Sequence, residues 1–135
     1  RVAAGGGITF ASAGTMLGAA LETARLLKER TGLEADVIDA RFVKPLDAEM
    51  IGESARRTGR IATFEDNAIA GGFGGAVAET LAARGIRAGI RVFGVGDRVV
   101  PHGARCDVTQ ACGMTPEAFA SELAEWIRDD GRQAP

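Results

Sequence analysis

The sequence predicts an α/β domain in which helices cover both faces of a mostly parallel sheet. Short apolar segments alternate along the chain with longer segments whose apolar residues recur at helical spacing. Strands that alternate with helices imply parallel pairs joined by right-handed crossovers, and hence a three-layer α/β/α arrangement. The length of 135 residues fits one domain, residues 1–135, and no internal repeat or low-complexity linker divides it.

The first strand and helix are predicted before residue 33. Residues 8–11 are apolar and bounded by glycines, which is typical of a buried strand. Thr15 is predicted to cap the next helix and Gly32 to end it. That helix is indicated by apolar residues at helical spacing, namely Met16, Leu17, Ala20, Leu21, Ala24 and Leu27.

A second strand and helix are predicted from residue 35 onward. Residues 35–39 are expected to form the strand. Lys44 precedes a proline, which pushes it toward extended geometry and excludes an immediate helix. Asp47 is a good N-cap, and Leu46 and Ile51 stand where a hydrophobic staple would place them.

The middle of the chain is expected to add two strands around a glycine-rich helix start. Residues 60–65 are predicted as the third strand and residues 90–93 as the fourth. Between them, residues 71–75 lead into a helix that Gly85 ends. Its apolar residues are Val77, Leu81 and Ala82. A loop is predicted from residue 94 to about residue 113.

The last helix has the clearest signals. Thr115 is expected to cap it, Pro116 to take its first position, and Met114 to pack on Phe119 as a staple. Apolar residues then form one stripe, which predicts that Trp126 is buried in the core. The stripe consists of Phe119, Leu123, Trp126 and Ile127.

The composition excludes several classes of function. Charged residues make up 25% of the chain and the net charge is -2, so no basic excess indicates a nucleic-acid partner. No apolar run approaches the roughly 20 residues that cross a bilayer, so no membrane partner is expected. Cys106 and Cys112 match neither a zinc site nor a redox pair, and we interpret them as free thiols in a reducing cytoplasm.

Unusual residues concentrate where the predicted strands end. In open α/β sheets, ligands and partners meet the loops that follow the carboxyl ends of the strands. Residues 12–15 and 41–47 are expected to border that edge. The candidates there for an interface or functional role are Lys44, Glu65, Asn67, Gly71, Gly72 and His102.

These candidates do not specify a reaction. The glycines of residues 71–75 could cradle a phosphate at a helix start, but no G-x-G-x-x-G pattern or Walker lysine accompanies them. The favoured interpretation is that they let the helix begin close to the sheet or to a neighbouring subunit. His102 is the only histidine, and no nucleophile with a third partner goes with it. No residue is assigned a catalytic, cofactor-binding or metal-binding role.

Four segments, in order, resemble the C-terminal domain of 1-deoxy-D-xylulose-5-phosphate synthases, in the transketolase superfamily. Residues 39–47 (DARFVKPLD) are similar to that family's (N/D)-A-R-F-x-K-P-L-D segment. Residues 11–16 resemble its A-T-G-T-M strand exit, residues 64–74 its E-E-N-x-x-x-G-G-x-G turn, and residues 96–103 its P-D-x-F-I-x-H-G segment. The sequence departs from the family at Asp66, Gly96 and Val99.

The resemblance implies a mixed sheet of about five strands whose first strand is antiparallel, with residues 1–4 as its remnant. It implies a cytoplasmic, homodimeric parent enzyme that uses thiamine diphosphate and Mg²⁺. That enzyme condenses pyruvate with D-glyceraldehyde 3-phosphate, releases CO₂, and serves isoprenoid and thiamine synthesis. The chain opens at Arg1 without an initiator Met, which indicates a fragment or a processed terminus. The resemblance implies that this domain mainly serves assembly, and since the G-D-G…N signature for the diphosphate is absent, we expect the fragment to be inactive alone.

Two alternatives stay open. The K-P-L-D and G-G-F-G segments are shared with E1β subunits of 2-oxo-acid dehydrogenases, and transketolases have the same domain. His102, Gly103 and Asn67 favour the synthase. The other alternative is a free-standing α/β domain that binds a partner or a small ligand.

Overall fold

The computed structural model describes residues 1–100 and 102–133 and contains a four-stranded parallel sheet in the order β2-β1-β3-β4. The strands are β1 (Ile8–Ser12), β2 (Ala35–Asp39), β3 (Arg60–Ala68) and β4 (Gly89–Val95). The helices are α1 (Leu17–Thr31), α2 (Ala48–Thr58), α3 (Phe73–Ala83), α4 (Arg105–Ala111) and α5 (Pro116–Gln133), and a 3₁₀ helix spans Gly14–Met16.

The number of strands is four and not about five. The expected antiparallel strand at the N-terminus is reduced to one bridge, between Ala3 and Val37 of β2. The N–H of Val37 donates to the carbonyl of Ala3 at 2.8 Å, and the N–H of Val2 donates to the carbonyl of Val37 at 2.7 Å. Residues 5–7 are all glycine and take the chain from this bridge to β1, which leaves too few residues for a longer pairing.

Helices on both faces of the sheet confirm the predicted three-layer fold. One core lies between the sheet and the helices α1 and α5, and its centre is a chain of phenylalanine rings 4.5–5.4 Å apart. Its rings belong to Phe10, Phe64, Phe93 and Phe119. The other core lies beneath α2 and α3 and includes Ile38, Ile51, Ile61, Phe73 and Val77.

Most predicted helix ends are confirmed. Gly32 ends α1 in the left-handed region, with a φ of 75°. The Asp47 carboxylate accepts from the N–H of Met50 at 3.0 Å and caps α2. The Thr115 hydroxyl accepts from the N–H of Ala118 at 3.3 Å at the start of α5. The predicted cap at Thr15 is wrong, because this residue lies inside the 3₁₀ helix and its hydroxyl turns to Asp66.

Three further expectations are corrected. Strand β3 continues past Glu65 to Ala68. Its register against β4 shifts after Phe64, and the pairing resumes between Ala68 and Val95. The predicted loop after β4 contains α4, a seven-residue helix with no buried residue. Trp126 is only partly buried, because it packs over Gly89 and Arg91 of the edge strand β4.

None of the helices formed by the described residues is long and apolar enough to cross a membrane.

Candidate functional site

The carboxyl ends of the four strands lie at one edge of the sheet, because all four run in the same direction. This strand-end edge carries the 3₁₀ helix after β1, the loop of residues 40–47 after β2, the end of β3, and the segment between β4 and α4. Strand order therefore decides which candidate residues are neighbours.

Glu65 is the buried member of the candidate set, with 2% of its surface exposed. Its carboxylate accepts from the N–H of Phe73 at 2.6 Å and from the N–H of Gly74 at 2.9 Å. These N–H groups belong to the first turn of α3, where the helix dipole favours a negative charge. Glu65 thus ties the end of β3 to the start of α3.

The glycines around this contact serve close packing. Gly71 has a φ of 74°, and the N–H of Gly72 donates to the carbonyl of Ile69 at 3.1 Å, so the two form a tight turn. A Cβ on Gly72 would lie 2.2 Å from a carboxylate oxygen of Glu65. A Cβ on Gly74 would lie 2.3 Å from the Val92 side chain. Helix α3 therefore begins against the sheet, as the favoured interpretation of the sequence has it.

A second polar group at the edge was not predicted as a unit. The Thr15 hydroxyl donates to the carboxylate of Asp66 at 2.5 Å, and the Arg105 guanidinium donates to the same carboxylate at 3.1 Å and to Thr15. The group joins the 3₁₀ helix, β3 and α4, which are far apart in sequence, so no local pattern indicates it. Its side chains are exposed, and such ion pairs contribute little to stability.

Asn67 lies near the end of β3, His102 lies in the segment between β4 and α4, and both are exposed. Asn67 stands near the end of β3, where its carbonyl would lie 3.0 Å from a Cβ on Gly94 of β4. His102 follows β4 and borders an apolar hollow of about 370 Å³, together with Val99, Val100 and Val108. Val99 is 95% exposed. No hydrogen bond joins Asn67 to His102 in the part of the chain that the structure describes.

Lys44 lies at the other end of the edge. It follows β2, whereas His102 follows β4, and these two strands stand about 14 Å apart at a strand spacing of about 4.8 Å. The candidate residues therefore form a row along the edge and not one cluster. Lys44 is exposed beside Phe42 and Val43, whose large apolar side chains are exposed as well.

The residues that the structure describes do not fit the diphosphate and Mg²⁺ of a thiamine cofactor. The carboxylate of Glu65 already takes two N–H groups at the start of α3, where a phosphate would bind. Across residues 1–100 and 102–133, no three His, Cys, Asp or Glu side chains come together as metal ligands. Both thiols are free, with Cys106 exposed and Cys112 partly so. A row of exposed polar and apolar groups along one edge is suited to contact with another protein surface.

Comparison with known proteins shows which family the chain resembles. The family model described as "Transketolase, C-terminal domain" matches residues 1–119. A 1-deoxy-D-xylulose-5-phosphate synthase from Heliobacterium modesticaldum is 42% identical over 96% of this chain. The 1-deoxy-D-xylulose-5-phosphate synthase 1 of Geobacter sulfurreducens is 43% identical over 99% of it. The alignments cover 20% and 21% of these relatives, so the chain spans about a fifth of their length.

A solved structure has a similar fold. A chain described as "Split gene transketolase, inactive beta4 tetramer" superposes with a TM-score of 0.82 and 33% sequence identity. The match covers 90% of this chain and 39% of that one.

Proposed function

Because the chain belongs to the transketolase C-terminal domain family, we propose that it is the C-terminal assembly domain of a thiamine-diphosphate-dependent 1-deoxy-D-xylulose-5-phosphate synthase. The observation that carries the proposal is 42–43% identity to named synthases over nearly the whole chain. We take residues 1–135 as one domain of a cytoplasmic enzyme about five times as long.

The parent enzyme would condense pyruvate with D-glyceraldehyde 3-phosphate and release CO₂, for isoprenoid and thiamine synthesis. Thiamine diphosphate would supply the carbanion chemistry when it is bound, and the other domains would hold it with Mg²⁺. This chain lacks a G-D-G…N signature for the diphosphate, and its one buried strand-end carboxylate, Glu65, caps α3. The isolated domain is therefore inactive in our proposal.

The role of the domain is then to present its strand-end edge to the rest of the enzyme. Asn67, His102 and Val99 are exposed on that edge, next to backbone that glycines bring close to its neighbours. The partners are the other domains and the second subunit of a homodimer. The split-gene transketolase is described as a tetramer, which supports self-association of proteins that contain this fold.

One alternative is a transketolase or an E1β subunit, and the transketolase has support because a solved structure with a similar fold is described as one. The synthases named above share more of the sequence, at 42–43% against 33% identity. A free-standing ligand-binding domain is the less supported alternative. Assays of the full-length enzyme with pyruvate plus D-glyceraldehyde 3-phosphate, and with a ketose phosphate donor plus an aldose phosphate acceptor, would separate the synthase from a transketolase.

The test of the assembly role is a pair of substitutions in the full-length enzyme, Asn67→Ala and His102→Ala. Glu53→Ala serves as the control, because Glu53 is exposed on α2. Analytical ultracentrifugation follows assembly, and thermal melting follows the fold. We expect weaker assembly with an unchanged melting temperature for the pair, and no change for the control. Unchanged assembly with a lowered melting temperature would show that these residues only stabilise their own loops.

A further inference from the structure

Apolar side chains are exposed together near the first residues of the chain. Phe42 is 66% exposed, Val43 46% and Val2 52%. Val2 and Phe42 line one hollow of about 300 Å³, which Ile38, Pro45 and Met50 also line. Contiguous exposed apolar surface of this kind marks a contact with another protein surface, because leaving an aromatic ring in water costs free energy that a partner recovers.

The loop that carries Phe42 is held in one conformation. Arg41 has a φ of 51°, in the left-handed region that L side chains avoid. The Asp39 carboxylate accepts from the backbone N–H of Arg41 at 3.2 Å and from its Nε at 3.3 Å. The N–H of Ala40 donates to the carbonyl of Ser12 at 2.9 Å. Hydrogen bonds hold this strained backbone, so Phe42 already has its exposed position before a partner binds. A preorganised side chain loses little conformational entropy on binding.

The start of the domain is fixed beside the same hollow. The Nε of Arg1 lies 2.9 Å from the carboxylate of Asp36, which is fully buried. Asp36 also accepts from Arg57 at 2.7 Å, so the first residue is tied to β2 and α2. Arg1 and Val2 both line the hollow. In the proposed parent enzyme, the polypeptide that leads into Arg1 would therefore arrive next to Phe42.

The charge beside the hollow indicates the chemistry of the occupant. Lys44 makes no ion pair within the described residues, and it is exposed next to Val43. The charged residues that line the hollow balance one another formally, because Arg1 and Arg41 are accompanied by Asp39 and Asp47. Arg41 pairs with Asp39 at 3.3 Å, so Lys44 supplies the unpaired charge. An apolar surface that carries a carboxylate would complement this combination.

We propose that residues 41–45 and the hollow beside them, here called the Phe42 anchor, dock the domain that precedes this one in the same polypeptide. The inference rests on the proposed function, in which the matched C-terminal domain makes up about a fifth of a longer chain. A domain tethered through Arg1 has a high effective concentration at the anchor, about millimolar for a short linker, which favours it over a free partner. The occupant places an apolar side chain in the hollow and a carboxylate toward Lys44.

The experiment uses the full-length enzyme and hydroxyl-radical footprinting read by mass spectrometry. Phe42→Ser removes the anchor, Phe42→Leu keeps an apolar group there, and Leu21→Ser is the matched control on α1, where Leu21 is 37% exposed. We expect Phe42 in the unaltered enzyme to react at least about tenfold more slowly than its intrinsic rate, while Leu21 is not protected. Phe42→Ser should raise hydrogen exchange in residues 40–46 and in the docked segment about tenfold, and Phe42→Leu should raise it little.

Three results would overturn the proposal. One is a Phe42 ring no better protected than Leu21, and another is a Phe42→Ser effect no larger than that of Leu21→Ser. The third is protection of Phe42 that disappears when dilution separates the subunits, because the occupant would then be the second subunit. Synthase activity of the unaltered enzyme, and assembly of the Asn67 and His102 variants, test the proposed function by themselves, so its failure is distinguishable from that of the Phe42 anchor.

Discussion

The carboxylate of Glu65 stands between the end of β3 and the first turn of α3. At the scale of single residues, this side chain decides what the glycine-rich turn can bind. The two N–H groups that would cradle a phosphate donate to Glu65, and a Cβ on Gly72 would already overlap its carboxylate. A phosphate would have to displace a buried carboxylate that accepts two hydrogen bonds. The free energy lost by that carboxylate would exceed what the phosphate gains at the same two N–H groups.

Replacing Glu65 tests how much this contact contributes to stability. Glu65→Ala leaves two N–H groups at the start of α3 without an acceptor and removes a favourable charge at the helix N-terminus. We expect the free energy of unfolding to fall by about 2–4 kcal/mol. Urea denaturation measures it. Glu79→Ala is the control, because Glu79 is exposed on the same helix and should change stability by less than about 0.5 kcal/mol. Equal losses of unfolding free energy in the two variants would show that the Glu65 carboxylate does not cap α3.

At the scale of elements, two adjacent glycines of α3 are expected to respond in opposite directions. Gly74→Ala puts a Cβ 2.3 Å from Val92 and 2.7 Å from Thr63, so α3 must move off the sheet, and we expect a loss of about 1–3 kcal/mol. In Gly75→Ala the new Cβ has no atom within 4 Å, and the substitution should stabilise the helix by about 0.5–1 kcal/mol. Thermal melting of both variants checks the signs. A Gly74→Ala variant at least as stable as the unaltered chain would mean that α3 does not begin against β4.

Two residues of the apolar stripe on α5 differ in how deeply they are buried. Leu123 is fully buried, whereas Trp126 lies partly exposed over the edge strand, with the Arg91 guanidinium 4.8 Å from its ring. We therefore expect Trp126→Ala to cost about 2–3 kcal/mol, at or below the low end for core tryptophans, and Leu123→Ala to cost at least as much. Urea denaturation gives both values. Indole emission should lie between those of buried and free tryptophan, and emission matching free tryptophan would show that the stripe faces solvent.

The sequence predicted the elements that local patterns specify. Apolar periodicity and the capping residues Gly32, Asp47 and Thr115 located α1, α2 and α5, because burial and capping there depend on neighbouring residues. Helix α4 has no apolar stripe and no buried residue, so no periodic signal could reveal it. The turn of Thr15 toward Asp66 depends on a contact 51 residues away, which overrides its capping propensity. Likewise, Glu65 as a cap for α3 required knowing how β3 and α3 meet.

At the scale of the whole molecule, the two edges of the sheet differ. Residues 2 and 3 pair with β2 and protect that edge, while among the described residues no strand pairs with the outer side of β4. The exposed apolar residues lie mainly after β2 and after β4, at the two ends of the strand-end edge. A surface anchored at both ends is suited to a broad contact with the rest of an enzyme, since apolar groups supply affinity and the polar row between them sets register.

This arrangement leads to a prediction about the cofactor. The proposed parent enzyme would hold thiamine diphosphate on its other domains, and the N–H groups at the start of α3 are taken by Glu65. We therefore expect isothermal titration of this chain with thiamine diphosphate and Mg²⁺ to give no heat beyond dilution. The full-length enzyme under the same conditions is the positive control and should bind. A stoichiometric isotherm with a dissociation constant of about micromolar, or about -8 kcal/mol of binding free energy, would contradict the assembly role, since an affinity of that size needs a built site in the chain itself.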